Sequence, residues 1–265
     1  MRVPLPVLAA LTAALMIVPA GCSVTASTPP TAAGEPQRLR VQVLEVRPHD
    51  RTAFTQGFEV ADGVLYEGTG LVGHSAVMAT DPATGAVRQR ADLPQPLFGE
   101  GITVVDQRIW QLTWRDGVAI ERDRATLAEL RRVPYRGEGW GLCHDGARLV
   151  MSDGTDRLLF RSPSTFDQVG DVRVHLPTGA VGQLNELECA GGAVWANVWR
   201  TDRILRIDPA SGAVTGIVDA TGLLPAADRA GADVLNGIAA LAGDGEFLIT
   251  GKRWPHTFRV RFVPA

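Results

Sequence analysis

The chain has 265 residues, 45% of them hydrophobic and 21% charged, an ordinary globular composition with enough apolar material for one large domain. A net charge of −3 gives no electrostatic case for nucleic acid or for an anionic membrane surface as partner. The 29 glycines and 17 prolines announce many turns.

The first residues read as an export signal. Arg2 supplies the positive start, Leu5 to Val18 is a short apolar run broken by Pro6, and Ala20-Gly21-Cys22 closes it with small residues and a cysteine. The run is too short for a secure membrane span. A cysteine directly after Ala-Gly is similar to a bacterial lipobox, in which the cysteine is lipidated and becomes the mature N-terminus; Pro19 departs from the usual aliphatic residue three places earlier. Ser23 to Gln37 is rich in Ser, Thr, Pro, Ala and Gly and reads as a flexible tether. The expected organisation is therefore a signal over 1–21, a tether over 22–38 and one folded domain over 39–265, exported and lipid-anchored outside the cytoplasmic membrane, or otherwise secreted.

Beyond the tether, Leu39 to Val46 alternates as a strand, and then one short phrase returns five times. The phrases begin Gln56-Gly57-Phe58, Glu100-Gly101-Ile102, Trp140-Gly141-Leu142, Asn185-Glu186-Leu187 and Asn236-Gly237-Ile238. Their second positions, 57, 101, 141, 186 and 237, are 44, 40, 45 and 51 residues apart. Each phrase runs into an apolar segment, a tight turn and a second apolar segment. The turns are Asp62-Gly63, Asp106-Gln107, Asp145-Gly146, Gly191-Gly192 and Asp244-Gly245. In the first repeat Phe58–Ala61, Val64–Glu67, Ala76–Thr80 and Ala86–Ala91 read as four strands. Asp81 to Gly85 and Asp208 to Gly212 are matching outer turns. A period near 45 made of strands and turns predicts an all-β, five-bladed β-propeller. The last repeat, with Phe247–Thr250 and Thr257–Phe262, is one strand short, so Leu39–Val46 is expected to complete it and close the ring. Asp219 to Asp233, with Pro225 and several alanines, reads as an insertion containing a helical turn.

Radial repetition gathers two sets of residues at one end of the channel: the five phrase heads, and the ends of the returning strands. The latter are Glu67-Gly68-Thr69-Gly70, Thr113-Trp114, Ser152-Asp153-Gly154, Asn197-Val198-Trp199 and Lys252-Arg253-Trp254. Trp114, Trp140, Trp199 and Trp254 then box one carboxylate, Glu100, with the amides of Gln56, Asn185 and Asn236 and with Lys252. Any one aromatic in a strand is more simply core, but packing alone would favour like residues in every repeat, and these positions differ. Cys143 and Cys189 sit in consecutive repeats, and two readings stay open for them, a disulfide or two buried thiols. His49, His74, His144, His175 and His256 show no paired metal spacing, and there is no CxxC, GxSxG or phosphate loop.

At these residues the chain resembles the plant and bacterial glutamine cyclotransferases. The phrases that carry the resemblance are Phe54-Thr55-Gln56-Gly57, Phe98-Gly99-Glu100-Gly101, Gln111-Leu112-Thr113-Trp114, Gly139-Trp140-Gly141-Leu142, Leu184-Asn185-Glu186-Leu187-Glu188, Asn197-Val198-Trp199, Leu235-Asn236-Gly237-Ile238-Ala239 and Thr250-Gly251-Lys252-Arg253-Trp254-Pro255. They span about residues 40–262; Gly68 departs from the family's Glu-Ser-Thr-Gly phrase. The resemblance implies conversion of N-terminal glutamine of peptides to pyroglutamate with release of ammonia. It also implies that Glu100 is the acid/base and that Phe54, Gln56, Trp114, Trp140, Asn185, Trp199 and Lys252 bind substrate; Phe98, Asn236 and Trp254 are read as supporting residues. No metal or cofactor is expected in catalysis, though a structural calcium in the channel stays open, and the partners expected are peptides with N-terminal Gln met by a monomer. Two other classes compete on the residues alone. One is a metal-dependent propeller hydrolase of lactonase type with calcium on Glu100, Asn185 and Asn236; the other is a non-catalytic peptide-binding propeller.

Overall fold

The computed structural model describes residues 1–2, 4, 34–243 and 245–265. Most of the 1–21 signal and of the 22–38 tether, Cys22 included, lies outside the described residues, as does Asp244 of the last hairpin turn.

The period-two patterning gives strands almost throughout. β1 (Gln37–Pro48) comes first, two residues ahead of the expected start at Leu39. The first repeat is β2 (Thr55–Ala61), β3 (Val64–Thr69), β4 (Ala76–Thr80) and β5 (Val87–Asp92), close to the segments read from the sequence. The second is β6 (Gly99–Val105), β7 (Arg108–Thr113), β8 (Val118–Asp123) and β9 (Glu129–Pro134). The third is β10 (Leu142–His144), β11 (Leu149–Ser152), β12 (Arg157–Arg161) and β13 (Gln168–Arg173), followed by a small hairpin of β14 (His175–Leu176) and β15 (Gly179–Ala180). Next come β16 (Leu184–Ala190), β17 (Ala193–Val198), β18 (Arg203–Ile207) and β19 (Val214–Asp219). A single 3-10 turn, Ala226–Asp228, occupies the expected insertion, and β20 (Leu235–Ala240), β21 (Glu246–Gly251) and β22 (His256–Pro264) end the chain.

The all-β expectation holds, but the expectation of a five-bladed propeller is corrected. The first three repeats are separate four-stranded antiparallel sheets, whereas the rest form one eight-stranded sheet in the order β16-β17-β18-β19-β1-β22-β21-β20. The cause is the double pairing of β1. It lies antiparallel to β22 from Leu39 opposite Pro264 to Pro48 opposite His256, and its first residues also pair parallel with β19, Gln37 opposite Gly216 through Arg40 opposite Asp219. A strand read as belonging to one repeat has two free edges, and both find partners.

The first strands β2, β6, β10, β16 and β20 neighbour one another in chain order, and β20 returns to β2. The small residue at the second phrase position permits this approach. A Cβ on Gly101 would stand 2.6 Å from the Trp140 carbonyl oxygen, and one on Gly141 would collide with the Asn185 carbonyl oxygen. Where the fourth phrase has Glu186 instead of glycine, its carboxylate reaches across to accept from the backbone N–H of Phe58 (3.2 Å) and of Ile238 (2.8 Å). Apolar clusters fill the spaces between sheets, among them Cys143, Phe160, Leu187 and Leu205 between the third repeat and β16–β18. Cys143 of β10 and Cys189 of β16 are joined by a disulfide, with Cα atoms 5.4 Å apart, which closes the question the sequence left open.

Candidate active site

A break in strand register aims the phrase heads. Pairing slips between Thr55 and Gly57 in β2, Gly99 and Ile102 in β6, Leu184 and Leu187 in β16, and Leu235 and Ile238 in β20. Each slip is a β-bulge, a device that turns a side chain out of its alternation. The residues within the slips include Gln56, Glu100, Asn185 and Asn236. The aromatic residues come from strand ends: Trp114 follows β7, Trp199 follows β17, and Trp140 precedes β10. Behind Trp140 lies Gly154 (φ +80°), where a Cβ would stand 2.7 Å from the indole, so the ring seats flat on the backbone.

These elements enclose a cleft of about 350 Å³ lined by Phe54, Gln56, Phe98, Glu100, Trp114, Trp140, Asn185, Trp199 and Lys252. Every residue expected to bind substrate or carry the proton is therefore at one site. Leu71, Arg200, Asp233 and Val234 complete the lining and were not legible, since each merely adjoins a phrase that was read. Phe98, expected behind the cleft, lines it. Asn236 stands behind Gln56: its Nδ2 donates to the Thr55 carbonyl (2.9 Å) and more weakly to Gln56 Oε1 (3.4 Å). Trp254 is outside the box. It is buried in the core against Phe258, its Nε1 donating to the Asp233 carbonyl at 2.8 Å.

Glu100 is buried and takes a hydrogen bond from Gln56 Nε2 at 2.9 Å. Burial pushes its carboxyl well above the usual range; Lys252 pulls the other way and Glu138 adds to the rise. Lys252 is 5% exposed, and burial lowers its ammonium while Glu100 and Asp233 hold it up. Its Nζ lies 4.8 Å from the Phe54 ring centre. Asn185 is buried, its backbone carbonyl accepts from Ser152 Oγ (2.6 Å), and its side-chain amide has no partner among the described residues. Beneath the cleft Glu67 Oε1 accepts from Thr55 Oγ1 (2.7 Å) and faces His49 Nε2 (3.1 Å), fixing the strand next to Gln56. As for metals, no group of three or more His, Cys, Asp or Glu among the described residues is placed to hold an ion.

The glutamine cyclotransferase family model matches residues 13–262. The chain belongs to that family. It is 36% identical over 231 residues to a glutaminyl-peptide cyclotransferase of Arabidopsis thaliana, a match covering 85% of this chain and 72% of the relative. Among solved structures it resembles the Myxococcus xanthus glutaminyl cyclase, at 36% identity and a TM-score of 0.81, over 87% of this chain and all of that one. Family membership thus covers the cleft, every phrase head and every strand end that contributes to it.

Proposed function

We infer that the chain is a glutaminyl-peptide cyclotransferase, which closes N-terminal glutamine into pyroglutamate and releases ammonia, with Glu100 as its acid/base. The observation that carries the proton assignment is a single buried carboxylate, raised in pKa, on the wall of an aromatic cleft that also holds an unpartnered amide. The reaction needs one bond made and one broken. The substrate's α-amine attacks its own γ-amide carbon, the carbonyl oxygen gains negative charge, and collapse expels the amide nitrogen. Because both reacting groups belong to one residue, the main task is to hold the curled conformer. The flat faces of Trp114, Trp140 and Trp199 suit a short side chain, and Asn185 offers a free amide to the substrate. Lys252 supports the developing oxyanion, an effect worth about 3 kcal/mol for a well-aimed donor. Glu100 takes the amine proton and returns it to the leaving nitrogen; a raised pKa equips it for both halves, a role worth about 10²- to 10⁴-fold.

The deciding experiment incubates the domain and its Glu100→Gln variant with a Gln-initiated peptide and follows ammonia loss by mass spectrometry. The variant is expected to lose at least about 10²-fold in kcat at an unchanged melting temperature. Near-normal turnover would remove Glu100 from the proton path. Proton transfer through Glu100 calls for no cofactor, so equal rates with and without EDTA are expected; loss of activity restored by calcium would contradict this. A monomer is the proposed working unit, and light scattering checks it.

Export and anchoring through Cys22 complete the proposal. The apolar Leu5–Val18 run and Ala20-Gly21-Cys22 support it, and the disulfide adds a chemical reason, because such bonds persist outside the reducing cytoplasm. Cys22→Ala should move the protein from the membrane fraction to the soluble one; an unmodified Cys22 in the mature protein would sink the anchor.

A further inference from the structure

The aromatic wall of the cleft has a gap, and a carboxylate fills it. Phe54 meets Phe98 edge-on with ring centres 6.3 Å apart, Phe98 meets Trp114 at 5.5 Å, and Trp140 meets Trp199 at 5.5 Å. Trp114 and Trp140 come from different sheets, and what connects them is Glu138, in the segment between β9 and β10. One oxygen, Oε2, accepts from both indoles, from Trp114 Nε1 at 2.7 Å and from Trp140 Nε1 at 3.0 Å. The other, Oε1, accepts from Arg115 Nε at 2.8 Å, and the Arg115 guanidinium lies 3.9 Å from the centre of the Trp114 ring.

We propose that Glu138 is a positioning residue for the cyclisation: its carboxylate pins the Trp114 and Trp140 indoles and so sets the spacing between two walls that face the substrate. This rests on the reading of the cleft as the substrate site. A carboxylate 35% exposed on a loop would ordinarily be a solvated surface group. Two features set this one apart. Both indole N–H groups converge on a single oxygen, and a half-buried indole N–H needs an acceptor whose position then orients the ring. Hydrogen bonds to an ionised acceptor are about twice as strong as neutral ones. Burial pushes the Glu138 carboxyl up, but the Trp140, Arg115 and Trp114 donors outweigh it and hold the group below the usual carboxylate range, in its ionised form. Water in place of Glu138 could satisfy both indoles but would not tie them to one point.

Two variants separate the acceptor from the charge. Glu138→Ala removes both indole bonds. Glu138→Gln keeps an oxygen for them but turns an NH₂ toward Arg115, which is then released. Steady-state kinetics on a Gln-initiated peptide should show kcat/KM for Glu138→Ala reduced at least about tenfold, mainly through KM, with little change in melting temperature. Glu138→Gln should recover most of that loss. Trp114→Phe keeps an aromatic face and lacks the N–H, so adding Glu138→Ala to it should cost clearly less than the product of the single effects. Trp114→Ala and Trp140→Ala are measured alongside. If they are crippled while Glu138→Ala stays within about twofold of wild type, the cleft reading stands and the positioning role falls. If they are harmless, the cleft reading fails and this role with it. A Glu138→Gln enzyme as impaired as Glu138→Ala would also overturn the proposal, since charge and not the acceptor would then be what matters.

Discussion

Removing the disulfide should cost a large part of the domain's stability while sparing its chemistry. Cys143 and Cys189 are 46 residues apart in sequence, and the loop-closure relation for that length gives about 4 kcal/mol of destabilisation when the bond is lost. A domain of this size shifts its melting temperature by about 2–4 °C per kcal/mol, so a fall of roughly 10 °C is expected for Cys143→Ala/Cys189→Ala. Alanine is the suitable replacement because Cys143 is 2% exposed, and a hydroxyl there would be buried without a partner. The bond joins β10 to β16, the strands next to Trp140 and Asn185, yet neither of those residues depends on it for a hydrogen bond. Turnover at 25 °C should therefore stay close to normal. The assay is calorimetric melting of wild type with and without a reductant, and of the double variant in both. Equal melting temperatures in all four samples would refute the reasoning; the double variant keeps only Cys22 and should melt alike with and without reductant.

Stability should also depend on pH through four glutamates of the inner strands, the buried Glu100, Glu186 and Glu188 and the half-buried Glu59. Burial pushes Glu59 up to about 7 against the hydrogen bonds from Thr103 and Val104, and raises Glu100, Glu186 and Glu188 well above the usual range. A raised carboxyl is neutral in the fold where the unfolded chain is already ionised. Its contribution is therefore whole below about pH 4.3 and lost as pH rises through the folded value, so the melting temperature should decline from about pH 5 to 8. A flat profile over that range would contradict it. Gly141→Ala should lower both melting temperature and kcat/KM, because the new methyl meets the Asn185 backbone, with an expected cost of about 1–3 kcal/mol; an unchanged protein in thermal melts would show that β10 and β16 can part without penalty. Peptides beginning with Glu should react about 10⁴-fold less well than those beginning with Gln at pH 7, since they bring a carboxylate beside Glu100 and lack the amide hydrogens; comparable kcat/KM values would refute this account of the cleft.

The site was more legible than the sheet arrangement. Gln56, Glu100, Trp140 and Asn185 stood out because they occupy one repeat position with unlike chemistries, and repetition itself brings such positions together. Trp254 shared that signal and belongs to the core, because its indole found a carbonyl at Asp233 where its equivalents reach the cleft. Glu138 had no repeat position to mark it; it matters only once Trp114 and Trp140 are near each other. The bulges were equally silent, since a one-residue slip leaves the apolar pattern around it intact. Four strands per repeat followed from alternation and turns, whereas the parallel pairing of β1 with β19 is a backbone event with no side-chain signature. That is why the eight-stranded sheet was not foreseen.

That sheet imposes an order of assembly. β1 precedes every other strand of the sheet, yet its antiparallel partner β22 follows them all, and Leu39 waits for Pro264 across nearly the whole folded domain. Contacts so distant in sequence form late and slowly. Until β22 arrives, β1 has only its short parallel pairing with β19, Gln37 to Arg40, and its antiparallel edge stays open. The closing seam of the structure is therefore made only once β22 has been synthesised, and a product stalled before it cannot zip shut.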